Sequence, residues 1–223
     1  MTLEAELRGC PPRTLSAARA CAHRAVQLLT LAARANLEAL PDDSHSSLVW
    51  ERGKRRFASL PLKSPGGEYR VLLAMPSMRL GLANHAGIAG QLSLEGISPA
   101  QAVAWLDGQL GRVGLRAASA VALPYALPPD AAALAGFRAA PDAAPLATLA
   151  AWYDLADSLL GRVAERLSEV KPGAGPIRVW PHHFDIASFV RLRPREDELA
   201  PGIGIGLSPG DESYDQPYLY ATP

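Results

Sequence analysis

The sequence predicts an α+β fold, with antiparallel strands packed against two long helices and one shorter one. Two stretches, one in each half of the chain, carry apolar residues at threes and fours. After each of them the apolar period shortens towards two, the repeat of a half-buried strand. The strands also come in blocks and do not alternate with helices, which favours α+β over a doubly wound parallel sheet.

The first long helix follows Pro11-Pro12. Leu15, Ala18, Ala22, Val26, Leu29, Ala33, Leu37 and Leu40 form its apolar stripe, roughly seven turns long, and Pro41-Asp42-Asp43 stops it. Arg19, Arg24, Gln27, Arg34 and Glu38 lie off the stripe, and His23, beside them, reads as solvated. Next come Ser47–Trp50 and Arg56–Leu60, strands that flank an Arg52-Gly53-Lys54 turn. Tyr69–Met75 and Met78–Asn84 continue a meander, with a Gly87–Gly90 loop before a strand at Gln91–Leu94. The basic residues Arg52, Lys54, Arg55 and Arg56 read as a solvated turn and a charged edge strand. No aromatic alternates with them to stack bases, so nucleic acid is not an expected partner.

Ser98-Pro99-Ala100-Gln101 is a helix start with the residues of a capping box, and Gly114 ends that shorter helix. Leu115–Leu123 reads as extended. The Pro- and Ala-rich stretch 124–145 is either a linker or an ordered connection, with a helical turn at Asp130–Leu134. The second long helix runs from about Pro145 to Val170, with Leu149, Trp152, Ala156, Leu159, Val163 and Leu167 on its buried stripe. Strands follow at Ile177–Trp180, Phe184–Leu192, Gly202–Leu207 and Tyr218–Ala221. Val49-Trp50 after the first long helix echoes Val179-Trp180 after the second. The chain therefore reads as one domain, 1–223, with pseudo-duplicated halves 1–123 and 145–223 as an option within it.

At 223 residues the chain can bury a sizeable core. Basic and acidic residues both number 22, so no net field draws it to nucleic acid or to an anionic membrane. Its acidic start, Met1 to Glu6, lacks the basic and apolar blocks of a signal peptide. Cys10 and Cys21 offer no disulfide or zinc framework, which fits a reducing compartment. The expected location is the cytoplasm, and the abundance of Ala, Arg, Gly and Pro points to a GC-rich bacterial genome.

Candidate chemistry concentrates in the last third. On a strand running through Val179–Leu192, His183 and Asp185 share one face, with His182 and Phe184 on the other. A carboxylate beside an imidazole can raise its basicity for proton transfer or join it in binding a divalent metal. Asp211 and Glu212, on the following connection, could complete a metal set of His182, His183, Asp185, Asp211 and Glu212. A structural imidazole–carboxylate pair inside a packed sheet is the competing reading. Gly206-Leu207-Ser208-Pro209-Gly210 matches the Gly-x-Ser-x-Gly nucleophile elbow, but Pro209 has no N–H for an oxyanion hole and no helix follows. Gly202-Ile203-Gly204-Ile205-Gly206 has the wrong spacing for a dinucleotide loop. Its alternation instead gives a strand with one bare face, where Trp180, Tyr214, Tyr218 or Tyr220 can approach closely.

The words Trp180-Pro181-His182-His183-Phe184-Asp185-Ile186-Ala187, Gly206 to Glu212 and Pro217 to Tyr220 resemble those of a bacterial protein family, a domain of unknown function. Its members carry a Trp-x-x-x-Phe-Asp-Leu-Ala-like word, a Ser-Pro-Gly-Asp-Glu word and an aromatic ending. The resemblance implies kinship and assigns no reaction.

Two functional readings follow. In the first, the chain is a binding or assembly module with a C-terminal, sheet-lined cleft. That cleft takes a small polar ligand on Trp180, Tyr214 and Ser208, or the aromatics form a homo-oligomer contact. In the second, it is a metal-assisted hydrolase or acid/base enzyme using His183 and Asp185 with Asp211 and Glu212.

Overall fold

Two long helices cover one face of a single antiparallel sheet. The structure, a computed structural model, describes residues 2–137, 143–169, 173–193 and 201–223. Its helices are α1 (Leu3–Leu7), α2 (Ser16–Asn36), α3 (Pro99–Arg112), α4 (Pro129–Ala132) and α5 (Ala144–Arg166). The first half contributes strands β1 (Leu48–Glu51), β2 (Arg56–Ser59), β3 (Leu62–Ser64), β4 (Gly67–Ala74), β5 (Arg79–Asn84) and β6 (Gly87–Ser93). The second contributes β7 (Gly173–Ala174), β8 (Arg178–Trp180), β9 (Asp185–Arg191), β10 (Gly202–Ser208) and β11 (Tyr218–Thr222). The α+β expectation is met, and among the described residues no helix is long and apolar enough to cross a membrane.

The strand order is β11-β10-β9-β8-β1-β2-β4-β5-β6, with β3 beside β4 and β7 beside β9. Each long helix is thus followed by its own meander, and the two meanders meet where β1 pairs with β8 at Leu48 and Val179. Both meanders open with a four-residue turn, 52–55 and 181–184, whose last residue has a positive φ: Arg55 at 46° and Phe184 at 58°. The Val-Trp echo is out of step with this geometry. Trp50 pairs with buried Phe57 and faces the helices, whereas Trp180 pairs with Asp185 on the opposite, open face.

Alternation along the strands sorts the two faces. Val179, Ile186 and Leu207 are fully buried in the core shared with α5. Asp185, Ala187, Gly204, Gly206 and Tyr220 take the other parity, and register aligns them in adjacent rows on the open face. The Ser98 start forms the predicted box, its hydroxyl accepting from Gln101 N–H while the Gln101 side chain accepts from Ser98 N–H.

Several expectations are corrected. The first long helix ends at Asn36, before Leu37 and Leu40. His23 is 4% exposed, because α2 is walled on several sides by the sheet, α3, α4 and α5, and only small residues fit most of its surface. The loop expected at Gly87–Gly90 is the first half of β6. Leu115–Leu123 forms no strand; a short 3-10 turn at Ala118–Ala120 packs against α2 and α3 instead. Within stretch 124–145, Tyr125 and Phe137 are tied to the body, and residues 138–142 lie outside the described residues. Val170, the expected end of the second helix, also lies outside them, and α5 stops at Arg166.

The basic cluster is only partly the solvated turn expected: Arg52 and Lys54 are exposed, but Arg55 is tied down and β1 and β2 lie inside the sheet, not at its edge. Arg55 Nε donates to Asp154 at 2.7 Å, and its Nη atoms donate to Glu6 at 3.2 and 2.5 Å. Asp154, on α5, also accepts from Trp50 Nε1 at 2.9 Å. One guanidinium therefore fastens α1 and α5 to the β1–β2 turn, and the two carboxylates hold its pKa above the ordinary value. Arg56 and Lys54 pair with Glu51. Arg55→Ala is expected to lower the unfolding free energy in urea by about 2 kcal/mol or more, since it strands a buried carboxylate. Arg55→Lys should recover less than half of that, because a point ammonium cannot span both acids.

Candidate functional site

The site is built around the turn that joins β8 to β9. Phe184 N–H donates to Trp180 O at 2.7 Å, closing residues 181–184 into a tight loop. The left-handed backbone at Phe184 turns its ring into the core, where it packs against His23, Phe57 and Tyr153. Two carbonyls of the turn are held from the helix layer. Pro181 O accepts from His23 Nε2 and Gln27 Nε2, both at 2.8 Å, and Phe184 O accepts from the Tyr153 hydroxyl at 2.5 Å. Gln27 Oε1 accepts in turn from Tyr125. Residues 179–192 are therefore two strands and a turn, in line with the separate strands expected at Ile177–Trp180 and Phe184–Leu192, and not the continuous strand on which His183 and Asp185 would share a face. His182 and His183 sit on the turn, and Asp185 opens β9.

A cavity of about 840 Å³ lies on the open face beyond this turn. Trp180, His182, His183, Asp185 and Tyr220 line it, with Arg178, Arg191, Phe189 and the 173–176 segment further along. Asp42 and Ser44, from the connection between α2 and β1, form the wall beside the histidines. The glycines of β10 make this space. A Cβ at Gly206 would meet the Tyr220 ring at 2.6 Å, and one at Gly202 would overlap the Phe189 ring. The bare strand face expected from the Gly-Ile alternation is present, and Tyr220 and Phe189 are the rings that lie on it.

Asp185 is the central group. It is 9% exposed, its Oδ2 accepts a short hydrogen bond from the Tyr220 hydroxyl, and its Oδ1 has no partner among the described residues. Burial pushes its pKa up, against the opposing pull of the Tyr220 hydrogen bond. Burial and the Asp185 charge likewise raise Tyr220. Arg178 is half-buried and donates to the adjacent Ile177 O at 3.3 Å; no carboxylate among the described residues lies within ion-pair distance of it. Burial and the neighbouring Arg70 charge lower its pKa. The cavity thus holds an incompletely satisfied acid and an unpaired base on one sheet face.

The structure brings together only part of the predicted set. His182, His183, Asp185 and Trp180 share the cavity, with the two imidazole rings 4.1 Å apart. Burial, then the neighbouring His183, lowers the His182 pKa. No hydrogen bond or ion pair joins His183 to Asp185, so the expected imidazole–carboxylate pair is not formed. Asp211 and Glu212 are exposed and do not line the cavity. Asp211 Oδ1 accepts from Ser213 and Tyr214 N–H at 2.8 Å, and its Oδ2 accepts from the Tyr218 hydroxyl at 2.5 Å. Its carboxylate is committed to a turn. Ser208 Oγ accepts from Gly210 N–H at 3.2 Å, and Tyr214 is 63% exposed against Tyr218, so neither reaches the cavity. Among the described residues no three His, Cys, Asp or Glu side chains are placed to hold a metal ion. The five-residue metal set is not assembled, because Asp211 and Glu212 serve the β10–β11 turn instead.

Sequence reasoning left out Arg178, Arg191 and Phe189 and gave Tyr220 no partner. The available signal was parity. Once Trp180 and Asp185 are taken as a cross-strand pair, Arg178 and Tyr220 fall on the same face. No protein-family model, curated protein or solved structure matches the chain.

Two measurements test this account. Asp185→Val with Tyr220→Phe removes both partners of one hydrogen bond together with the unpaired Oδ1, so the double variant should be at least as stable as the parent. The native pKa of Asp185 lies above its ordinary 3.8, so its penalty is absent below that pH and grows as pH rises. The stability advantage of the double variant should therefore widen upward from about pH 4 in urea titrations. His23 behaves oppositely. Burial pushes its pKa down from 6.5 to about 4, so its contribution is intact above 6.5 and is lost on acidification through that window. The loss amounts to roughly 3 kcal/mol, and His23→Gln should flatten the slope between those pH values.

Proposed function

We propose that the chain is a small-molecule-binding protein whose ligand occupies the open-face cavity over Asp185. The observation that carries this reading is the buried Asp185 Oδ1, which finds no partner among the described residues although its side chain belongs to the lining of the cavity. Buried carboxylate oxygens are ordinarily hydrogen-bonded, and leaving one unpaired costs about 1–3 kcal/mol. A ligand that donates to Oδ1 removes that cost on binding. The supports are in place on either side. Tyr220 fixes the carboxyl plane, Trp180 and Phe189 give aromatic surface, and the turn holding His182 and His183 is pinned from the helix layer. A cytoplasmic setting, as the composition implies, would supply such ligands as metabolites.

A second reading rests on the raised pKa of Asp185. Burial that raises the pKa of a carboxyl favours its protonated form, the form a general acid needs. In that version Asp185 is the acid and Tyr220 positions it.

Native mass spectrometry of protein exposed to a small-molecule extract tests binding directly. The wild type is expected to retain bound mass, and Ala187→Phe, which fills the cavity floor, should lose it. Circular dichroism establishes whether that variant is folded. Asp185→Leu serves as a second variant, because it keeps an apolar side chain of similar volume in the same place. Equal retention by the wild type and both folded variants would refute the reading.

A further inference from the structure

Arg178 and Asp185 are the two partly or largely buried charges of this cavity left incomplete among the described residues; Arg191, also on the lining, is exposed. Cross-strand register fixes their relation. Arg178 pairs with Ala187, and Asp185 lies two residues before Ala187 on the same strand and the same face. Diagonal neighbours of this kind sit roughly 7–8 Å apart at Cα. The two side chains thus share one face of the cavity, while the guanidinium is turned to Ile177 O and no hydrogen bond or ion pair joins it to the carboxyl. A gap between opposite charges on a partly buried face fits a molecule that carries both charges itself.

Resting on the binding reading above, we propose that the cavity takes a small zwitterion, with an oxyanion on Arg178 and an ammonium on Asp185 Oδ1. The guanidinium offers a planar fork that meets two oxygens of a carboxylate or phosphate at once. An ammonium supplies the N–H that Oδ1 lacks, and its charge offsets the burial that disfavours the ionised acid. The body between the two groups lies against Trp180, and a longer side chain reaches the Phe189 ring, which is 44% exposed over the Gly202 backbone. With one base and one acid engaged, a net-neutral ligand leaves no buried charge unpaired. A simple anion leaves Asp185 unsatisfied, and a simple amine leaves Arg178 so.

Thermal shift and calorimetric titration on the whole chain distinguish these cases. The zwitterionic probes are the standard amino acids, for a carboxylate source, and O-phosphoethanolamine, for a phosphate source. The one-ended probes are phenethylamine, which has no oxyanion, and 3-phenylpropionate and inorganic phosphate, which have no ammonium. At least one zwitterion is expected to bind, with every one-ended probe at least tenfold weaker. Arg178→Met should abolish the preference for that zwitterion over its amine, and Asp185→Asn the preference over its acid. Whether an amino acid or phosphoethanolamine binds more tightly decides the oxyanion. A one-ended probe that binds the wild type as tightly as any zwitterion overturns the proposal. So does full zwitterion affinity in Arg178→Met, or a panel in which no zwitterion binds. If the panel fails while the wild type, and not Ala187→Phe or Asp185→Leu, retains a molecule from extract, the ligand class is wrong and the cavity reading stands. If those variants retain it equally, both are wrong.

Discussion

The site depends on how the turn between β8 and β9 is docked. Its four residues reverse the chain with no glycine, so Phe184 itself takes the left-handed backbone that most residues avoid. What holds it there is visible on both sides of the peptide. The ring is enclosed by His23, Phe57 and Tyr153, and the flanking carbonyls of Pro181 and Phe184 accept from three side chains of α2 and α5. This fixes where β9 starts, and with it the parity of the strand. Slipping by one residue would send Asp185 into the helix layer and Ile186 to the open face. The buried network around Pro181 O therefore places the Asp185 carboxyl, which never touches it.

The two halves solve the same turn in different ways. In the first, the left-handed residue is Arg55, and its guanidinium draws Glu6 and Asp154 over the turn. In the second, it is Phe184, held by aromatic packing, and the polar residues of that turn are left facing the cavity. The strands beyond differ in a matching way. β4 carries Arg70, Leu72 and Ala74 on the open face, whereas β10 carries Gly202, Gly204 and Gly206. With no side chains there, Phe189 and Tyr220 can lie flat on the backbone. The cavity belongs to the second half because its third strand is bare.

Much of the fold was legible because its signals are local. The Ser98 capping box and the spacing of the β1–β2 turn each follow from residues within a few positions. The stripe read for the second long helix held at Leu149 and Ala156 but missed buried Tyr153, Asp154 and Leu160 and included exposed Val163. The Gly-Ile alternation also gave its meaning directly. The misreadings share a cause: each turned on a partner distant in sequence. His23 looked solvated because it lies among arginines, yet its ring meets Pro181 and Phe184 from the other half. Arg55 looked like part of a wet turn, yet its acids are on α1 and α5. The strands Ile177–Trp180 and Phe184–Leu192 were legible, but the face assignment ran straight through the turn between them, because the usual sign of a left-handed position, glycine or asparagine, is absent at Phe184. That parity error made His183 and Asp185 a pair and drew Asp211 and Glu212 towards them, when turn chemistry already accounts for Asp211.

The strongest pointer to function is a contrast within the structure. Buried polar groups elsewhere are completed with care. His23 donates to a carbonyl, both Asp154 oxygens accept, and Gln27 uses its amide and its carbonyl in separate bonds. Thr30 and Ser59 hydroxyls, also buried, are bonded too. Asp185 Oδ1 departs from this rule among the described residues, and it departs where the sheet opens onto a cavity. Packing does not force the gap, since valine or leucine would fill the same volume without an unpaired oxygen. Set against a typical total stability of about 5–15 kcal/mol, an uncompensated cost of about 1–3 kcal/mol is not small. A carboxyl retained at that cost, with its other oxygen fixed by Tyr220 and an unpaired arginine on the same cavity lining, is what the proposed ligand would complete.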